Sequence, residues 1–185
     1  MKKNKSKIYY AGIGSRETPM EVQIFFTNVA KRFAQQGFIL RSGGAVGADI
    51  AFERGCDEVN GEKEIFLPWA GLNDSDSKLI LCNEEAFSIA EQFHARWHSL
   101  SPKAKKLQAR NTHQVLGWDL KTPTDFIICW TKYKDGNPIG GTVQAIRIAE
   151  AHHIPIFNAG LYDSIDDTKQ MLEAFIKRVM VEGGA

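Results

Sequence analysis

The sequence predicts a three-layer α/β domain built on a five-stranded parallel sheet. Three observations carry that expectation. Short β-prone apolar runs alternate with segments of helical periodicity, and such alternation demands right-handed crossovers between parallel strands. Three strand ends run into glycine just before a helix. The chain has 185 residues. That is one domain's length, and a chain of this size buries ~70% of its unfolded surface without disulfide staples.

Residues 7–13 (KIYYAGI) read as a buried strand that enters the tight loop Gly12-Ile13-Gly14-Ser15-Arg16. Thr18 is the expected N-cap of the first helix, with Pro19 at N1 and Glu21 closing a capping box. Its apolar stripe is Met20, Ile24, Phe25, Val29 and Phe33, and Gly37 ends it. Residues 38–42 form the second strand, and Gly43, Gly44 and Gly47 lead into a second helix from Ala48. Residues 64–68 form the third strand, stopped by Pro68. Two helical patterns follow, 83–97 and 101–116, with no strand between them. Residues 71–117 therefore read as a helical insert within a single domain spanning 1–185. The fourth strand is 125–130, and Gly140-Gly141-Thr142 opens a helix running to about His152. The fifth strand is 155–158. A last helix starts near Asp163 or Ser164, with the stripe Met171, Leu172, Phe175, Ile176 and Val179. A strand order of 3-2-1-4-5 puts the topological switch between strands one and four, where open α/β sheets bind ligands.

Composition narrows the function. Hydrophobic residues are 43% and charged residues 24%, which excludes disorder, collagen and coiled coil. No apolar run approaches the ~20 residues that cross a bilayer. The basic start, residues 1–7, lacks a long apolar region and is not read as a secretory signal. Cys56, Cys82 and Cys129 are far apart and form no CxxC pair, as expected of reduced thiols in a cytoplasm. A net charge of +1 gives no global pull toward nucleic acid. His94 and His98 stand four apart like two metal ligands, but HExxH is absent and no third ligand is evident. The sequence calls for no metal and no resident cofactor.

The glycine loops point to an anion. Glycine lets backbone N–H groups approach a ligand closely. A helix N-terminus adds free donors and a partial positive charge, a combination suited to phosphate. Ser15, Ser42 and Thr142 add hydroxyls, and Arg16 and Arg41 offer charge-assisted contacts. Named fingerprints fail. Glu17 stands where GxGxxG needs its third glycine, no acid ends the second strand, and no GxxxxGK[ST] occurs.

Four segments in order are Ala11-Gly12-Ile13-Gly14-Ser15-Arg16, Ser42-Gly43-Gly44-Ala45-Val46-Gly47-Ala48-Asp49, Arg110-Asn111 and Gly140-Gly141-Thr142-Val143-Gln144-Ala145. Over residues 7–160 this succession resembles the SLOG superfamily, in particular its DprA/Smf-like and YspA-like branches. The resemblance implies a Rossmann-like fold that binds nucleotides or nucleotide-derived signals, often as a homo-oligomer. It implies ligand contacts from Gly12, Gly14, Ser15, Arg16, Ser42, Gly43, Gly44, Gly47, Asp49, Arg110, Asn111, Gly140, Gly141 and Thr142. Some members cleave N-glycosidic bonds, and DprA-like members bind single-stranded DNA. Hydrolytic members carry a glutamate three residues after the threonine of their glycine motif. Here that position is Ala145. A hydrolase would have to use Asp49 or Glu53, four apart on one helix, as its catalytic acid or base.

Three functions stay open: a nucleotide-binding module, an N-glycosidic hydrolase of nucleoside monophosphates, and a single-stranded DNA binder. The near-neutral charge disfavours the last, and Ala145 the second. Two substitutions follow as expectations. Gly44→Val abolishes binding with the fold intact. Arg110→Ala weakens binding with melting nearly unchanged.

Overall fold

A computed structural model describes residues 7–182. The basic stretch 1–6 lies outside the described residues. Strand β1 (Tyr9–Gly14) is followed by helix α1 (Met20–Gln35), β2 (Ile39–Ser42), α2 (Ala48–Asp57) and β3 (Lys63–Ile65). Helices α3 (Glu84–Gln92) and α4 (Pro102–Leu116) precede β4 (Phe126–Trp130). A small hairpin, β5 (Tyr133–Lys134) and β6 (Asn137–Pro138), leads to α5 (Val143–Ala151), β7 (Ile156–Asn158) and α6 (Ile165–Glu182).

The main sheet has the order β3-β2-β1-β4-β7 and every pairing in it is parallel. This is the expected order, with β7 as the fifth strand. Both faces are covered, so β4 is buried at all of its positions. The period of two decides which side chain goes where. Tyr10, Phe126 and Ile128 pack with residues of α1, α2 and α6. Ala11, Ile13, Ile127 and Cys129 pack with residues of α4 and α5.

Several boundaries move for identifiable reasons. Pro19 is the N-cap of α1 and no side chain caps that helix; the Thr18 hydroxyl donates instead to the Ser15 carbonyl at 2.6 Å. The buried stripe of α1 is Val22, Phe25, Phe26, Val29, Ala30 and Phe33, while Met20 and Ile24 are exposed. The stripe turns toward α2 because α2 comes very close. A Cβ on Gly55 would overlap the Thr27 carbonyl oxygen, and the Thr27 hydroxyl donates to the Ala51 carbonyl at 3.0 Å. Gly55→Ala is expected to force the two helices apart and cost about 1–3 kcal/mol, as overpacking does. Urea unfolding checks this, and an unchanged midpoint would contradict the contact.

The helix expected over 83–97 stops at Gln92. Asn83 caps α3 by accepting the Ala86 N–H at 2.9 Å, and Trp97–Ser99 is a separate 3₁₀ turn. Ser101 caps α4 by accepting the Ala104 N–H at 3.2 Å, with Pro102 in the first turn. The final eight residues of α4, 109–116, are all buried, because α4 lies on the sheet and packs against α3 and α5. On α6, Leu172, Phe175 and Val179 are buried while Met171 is exposed. The β5–β6 hairpin is an addition to the expected elements. Its turn is Asp135-Gly136, both at positive φ, which is the local signal for a tight two-residue turn. No helix of the described residues is long and apolar enough to cross a membrane.

Candidate functional site

The C-terminal ends of β1 and β4 surround a cavity of about 420 Å³. The β1 loop contributes Gly14, Ser15, Arg16 and Glu17, the loop before α2 contributes Ala45, and the first turn of α2 contributes Asp49. Helix α4 supplies Leu107, Gln108, Arg110, Asn111 and Gln114. The chain between β4 and α5 closes it with Lys132, Ile139, Gly140, Gly141 and Thr142, and Ala145 lies one turn further.

The floor is a buried polar network. Asp49 is 3% exposed and accepts the Gly14 N–H at 3.1 Å and the Gln114 amide at 3.2 Å. Burial pushes its carboxyl above the ordinary value. The Arg110 charge, the backbone N–H groups of Ala45 and Gly14, and Gln114 pull the other way. Arg110 is 5% exposed; its Nε donates to the Asn111 side chain at 3.1 Å and its Nη1 to the Gly43 carbonyl. Burial lowers its pKa, and Asp49 is the largest opposing cause. A guanidinium nevertheless keeps its charge across the working pH range. Asn111 also donates to the Gly141 carbonyl at 3.2 Å, which ties α4 to the mouth of α5. The rim is charged and exposed: Lys132 pairs with Glu17 at 2.6 Å. Arg16 stands beside them.

The structure brings Gly14, Ser15, Arg16, Asp49, Arg110, Asn111, Gly140, Gly141 and Thr142 to this one cavity. Gly12, Ser42, Gly43, Gly44 and Gly47 stay outside its lining. Their glycines serve packing. A Cβ on Gly12 would stand 2.5 Å from the Phe52 ring, and one on Gly43 would strike Arg110. Gly47, at φ 97°, lets its loop press on the Ser15 carbonyl. The Ser42 hydroxyl is spent on the Gly12 carbonyl at 2.6 Å. Gly44 has φ 63° and faces Leu67, so Gly44→Val would strain the fold and is no clean test of the site.

Other expectations are corrected too. Glu53 lines a different concavity and takes an ammonium bond from Lys63 at 2.8 Å. It does not share Asp49's surroundings, because its side chain meets β3 rather than the cavity mouth. Arg41 is 1% exposed, pairs with Glu64 at 2.7 Å and lies over the Tyr9 ring. Arg110 is a buried strut of the cavity floor. Trp130 belongs to the core and Trp69 lies under Lys103, and neither lines this cavity. His94 and His98 do not share a helix face, because α3 ends before them. Among the described residues no three His, Cys, Asp or Glu side chains gather as a metal site.

Leu107, Gln108, Gln114, Lys132 and Ile139 also line the wall, and the sequence does not single them out. Gln114 had one readable signal: it stands four residues after Arg110, hence on the same helix face. Lys132 follows the end of β4 at the expected switch point.

No family model matches the chain, and no curated protein matches its sequence. Solved structures do match. DNA processing protein A from Helicobacter pylori, described for its single-stranded DNA binding mode, is similar with a TM-score of 0.51 and 18% identity. The match covers 82% of this chain and 64% of that one, so the chain spans less than two thirds of its length. The Moco carrier protein of Chlamydomonas reinhardtii is similar with a TM-score of 0.47 and 16% identity, over 83% of this chain and 76% of that chain. The likeness to the DNA processing protein shows a shared fold.

Proposed function

We propose that this chain is a SLOG-like binding protein whose ligand, a nucleotide or nucleotide derivative, occupies the Asp49–Arg110 cavity. One observation carries the reading. A buried, charge-compensated floor lies at the switch point between β1 and β4, directly beneath the N-terminus of α5, which no side chain caps. Phosphate suits the free N–H groups of that helix end, with Arg16 and Lys132 at the rim. Asp49 suits a ribose hydroxyl. Its carboxylate can accept one more hydrogen bond beyond those it holds.

Binding is favoured over hydrolysis. The Asp49 carboxylate already accepts bonds from Gly14 and Gln114 and is positioned as a fixed acceptor. Ala145 offers no carboxylate, Glu53 is engaged elsewhere, and Glu17 is bound to Lys132. DNA binding is disfavoured by the near-neutral net charge of +1, which gives no broad pull on a phosphate backbone.

A thermal-shift panel of mononucleotides, nucleoside diphosphates and dinucleotides tests the reading. A ligand at 100 times its dissociation constant should stabilise the fold by about 2.7 kcal/mol. Chromatography of the same mixtures should show no released base. Stabilisation by none of them overturns the reading, and base release replaces it with the hydrolase.

A further inference from the structure

A second cavity, of about 290 Å³, opens beside the first. The two share Gln108, Ile139, Gly140 and Gly141, so they flank the same turn. The wall of its own is His94 and Arg96 from the chain after α3, and Gln144 and Arg147 from α5. No acidic side chain lines it.

Two groups in that wall lack partners. Gln144 is 2% exposed, and neither its Nε2 nor its Oε1 has a hydrogen-bond partner among the described residues. The His94 Nδ1 is buried and unpartnered in the same way. Buried polar atoms are almost always satisfied, so an orphaned amide in a cavity wall marks a place for something that bonds to it. The surroundings select the sign of that something. Arg147 reaches back to the Phe93 carbonyl at 3.4 Å and so faces the end of α3, beside Arg96. Burial and the two arginines push the His94 imidazole below its ordinary pKa, in keeping with a cavity of uncompensated positive charge. An amide donates two N–H bonds and guanidinium groups donate in pairs, the donor set that phosphate oxygens use.

We infer that this cavity is an anion subsite, and that it receives a second phosphate or phosphodiester group of the ligand whose first part sits over Asp49. The inference rests on the nucleotide reading and narrows it: the ligand is an extended phosphoester that crosses the Gly140-Gly141 turn, not a mononucleotide. Gln144 and the two arginines are its specificity residues.

The test uses the full chain and two kinds of probe. Inorganic pyrophosphate is titrated while the Gln144 side-chain amide is followed by NMR. Saturable movement is expected, with affinity reduced at least tenfold in an Arg96→Ala/Arg147→Ala double variant; both side chains are exposed, so the fold stays. Gln144→Leu, which removes the orphaned amide and with it this signal, should bind pyrophosphate at least tenfold more weakly by calorimetry, with stability unchanged. Calorimetry then compares AMP with the linear dinucleotide pApA. The dinucleotide should bind at least tenfold more tightly in the parent chain and no more tightly in the double variant. An unmoved Gln144 amide overturns the subsite. AMP binding with no gain for pApA overturns the extended ligand and leaves the nucleotide reading standing. A Gln144 response to pyrophosphate with no binding of either AMP or pApA supports the subsite and overturns the nucleotide reading.

Discussion

Arg110→Ala is expected to lower the unfolding free energy by about 3 kcal/mol, the low end of what breaking a buried ion pair costs. The low end applies because the side chain that donates to Asp49 is Gln114, and no direct ion pair links that carboxylate to Arg110. Three things are lost together. The Gly43 carbonyl loses its donor, the Asn111 side chain loses the Nε–H that orients it, and the Asp49 carboxylate loses the charge that offsets its burial. At this chain length the melting temperature should fall by ~6–12 °C. Asp49→Asn in the same chain removes the charge left alone, so the double variant should lose less than the sum of the two single variants. Urea unfolding of the four proteins measures this. An Arg110→Ala melting point equal to the parent's would mean the guanidinium does not support the cavity floor.

Gly141→Val is expected to do the opposite: to leave stability nearly unchanged and remove ligand binding. A Cβ at Gly141 meets nothing within 4 Å, and Gly141 is not among the glycines at positive φ. A valine can therefore be built there without strain, and its methyl groups fill space at the mouth of α5 that a phosphate would occupy. Affinity should fall about 100-fold or more, near 2.7 kcal/mol. The melting temperature of the free protein should move by no more than ~2 °C, as for a surface change. Calorimetry with the ligand found by thermal shift checks the affinity. Retained affinity would place the ligand elsewhere.

Alternating strands and helices were enough to identify a parallel sheet, because a parallel strand buried on both faces leaves a dense apolar run such as Phe126-Ile127-Ile128-Cys129-Trp130. The glycine loops were legible as a group, yet their individual roles were not. Glycine is needed equally where a backbone approaches another backbone, as at Gly47, and where space is left open, as at Gly141. Only the packing around each glycine separates the two. The depth of Arg110 was hidden for a different reason. Residues Arg110-Asn111-Thr112-His113-Gln114 are polar and give no apolar stripe, but all five are buried. Their partners are carbonyls and side chains distant in sequence, such as Gly43 for Arg110 and Asp49 for Gln114. Likewise Glu53 and Asp49 share a helix face, but they stand one turn apart along it, so that Glu53 meets Lys63 on β3 while Asp49 reaches the cavity at the switch point.

Backbone amide NMR during a nucleotide titration tests the central claim most directly. The nucleotide is the member of the panel that stabilises the chain, or AMP if several do. Saturable shifts should appear at Gly14, Ser15, Gly141 and Thr142, the N–H groups around the Asp49–Arg110 cavity. Shifts confined to the lysine-bearing start of α4, or no shifts at all, would contradict a nucleotide site between β1 and β4.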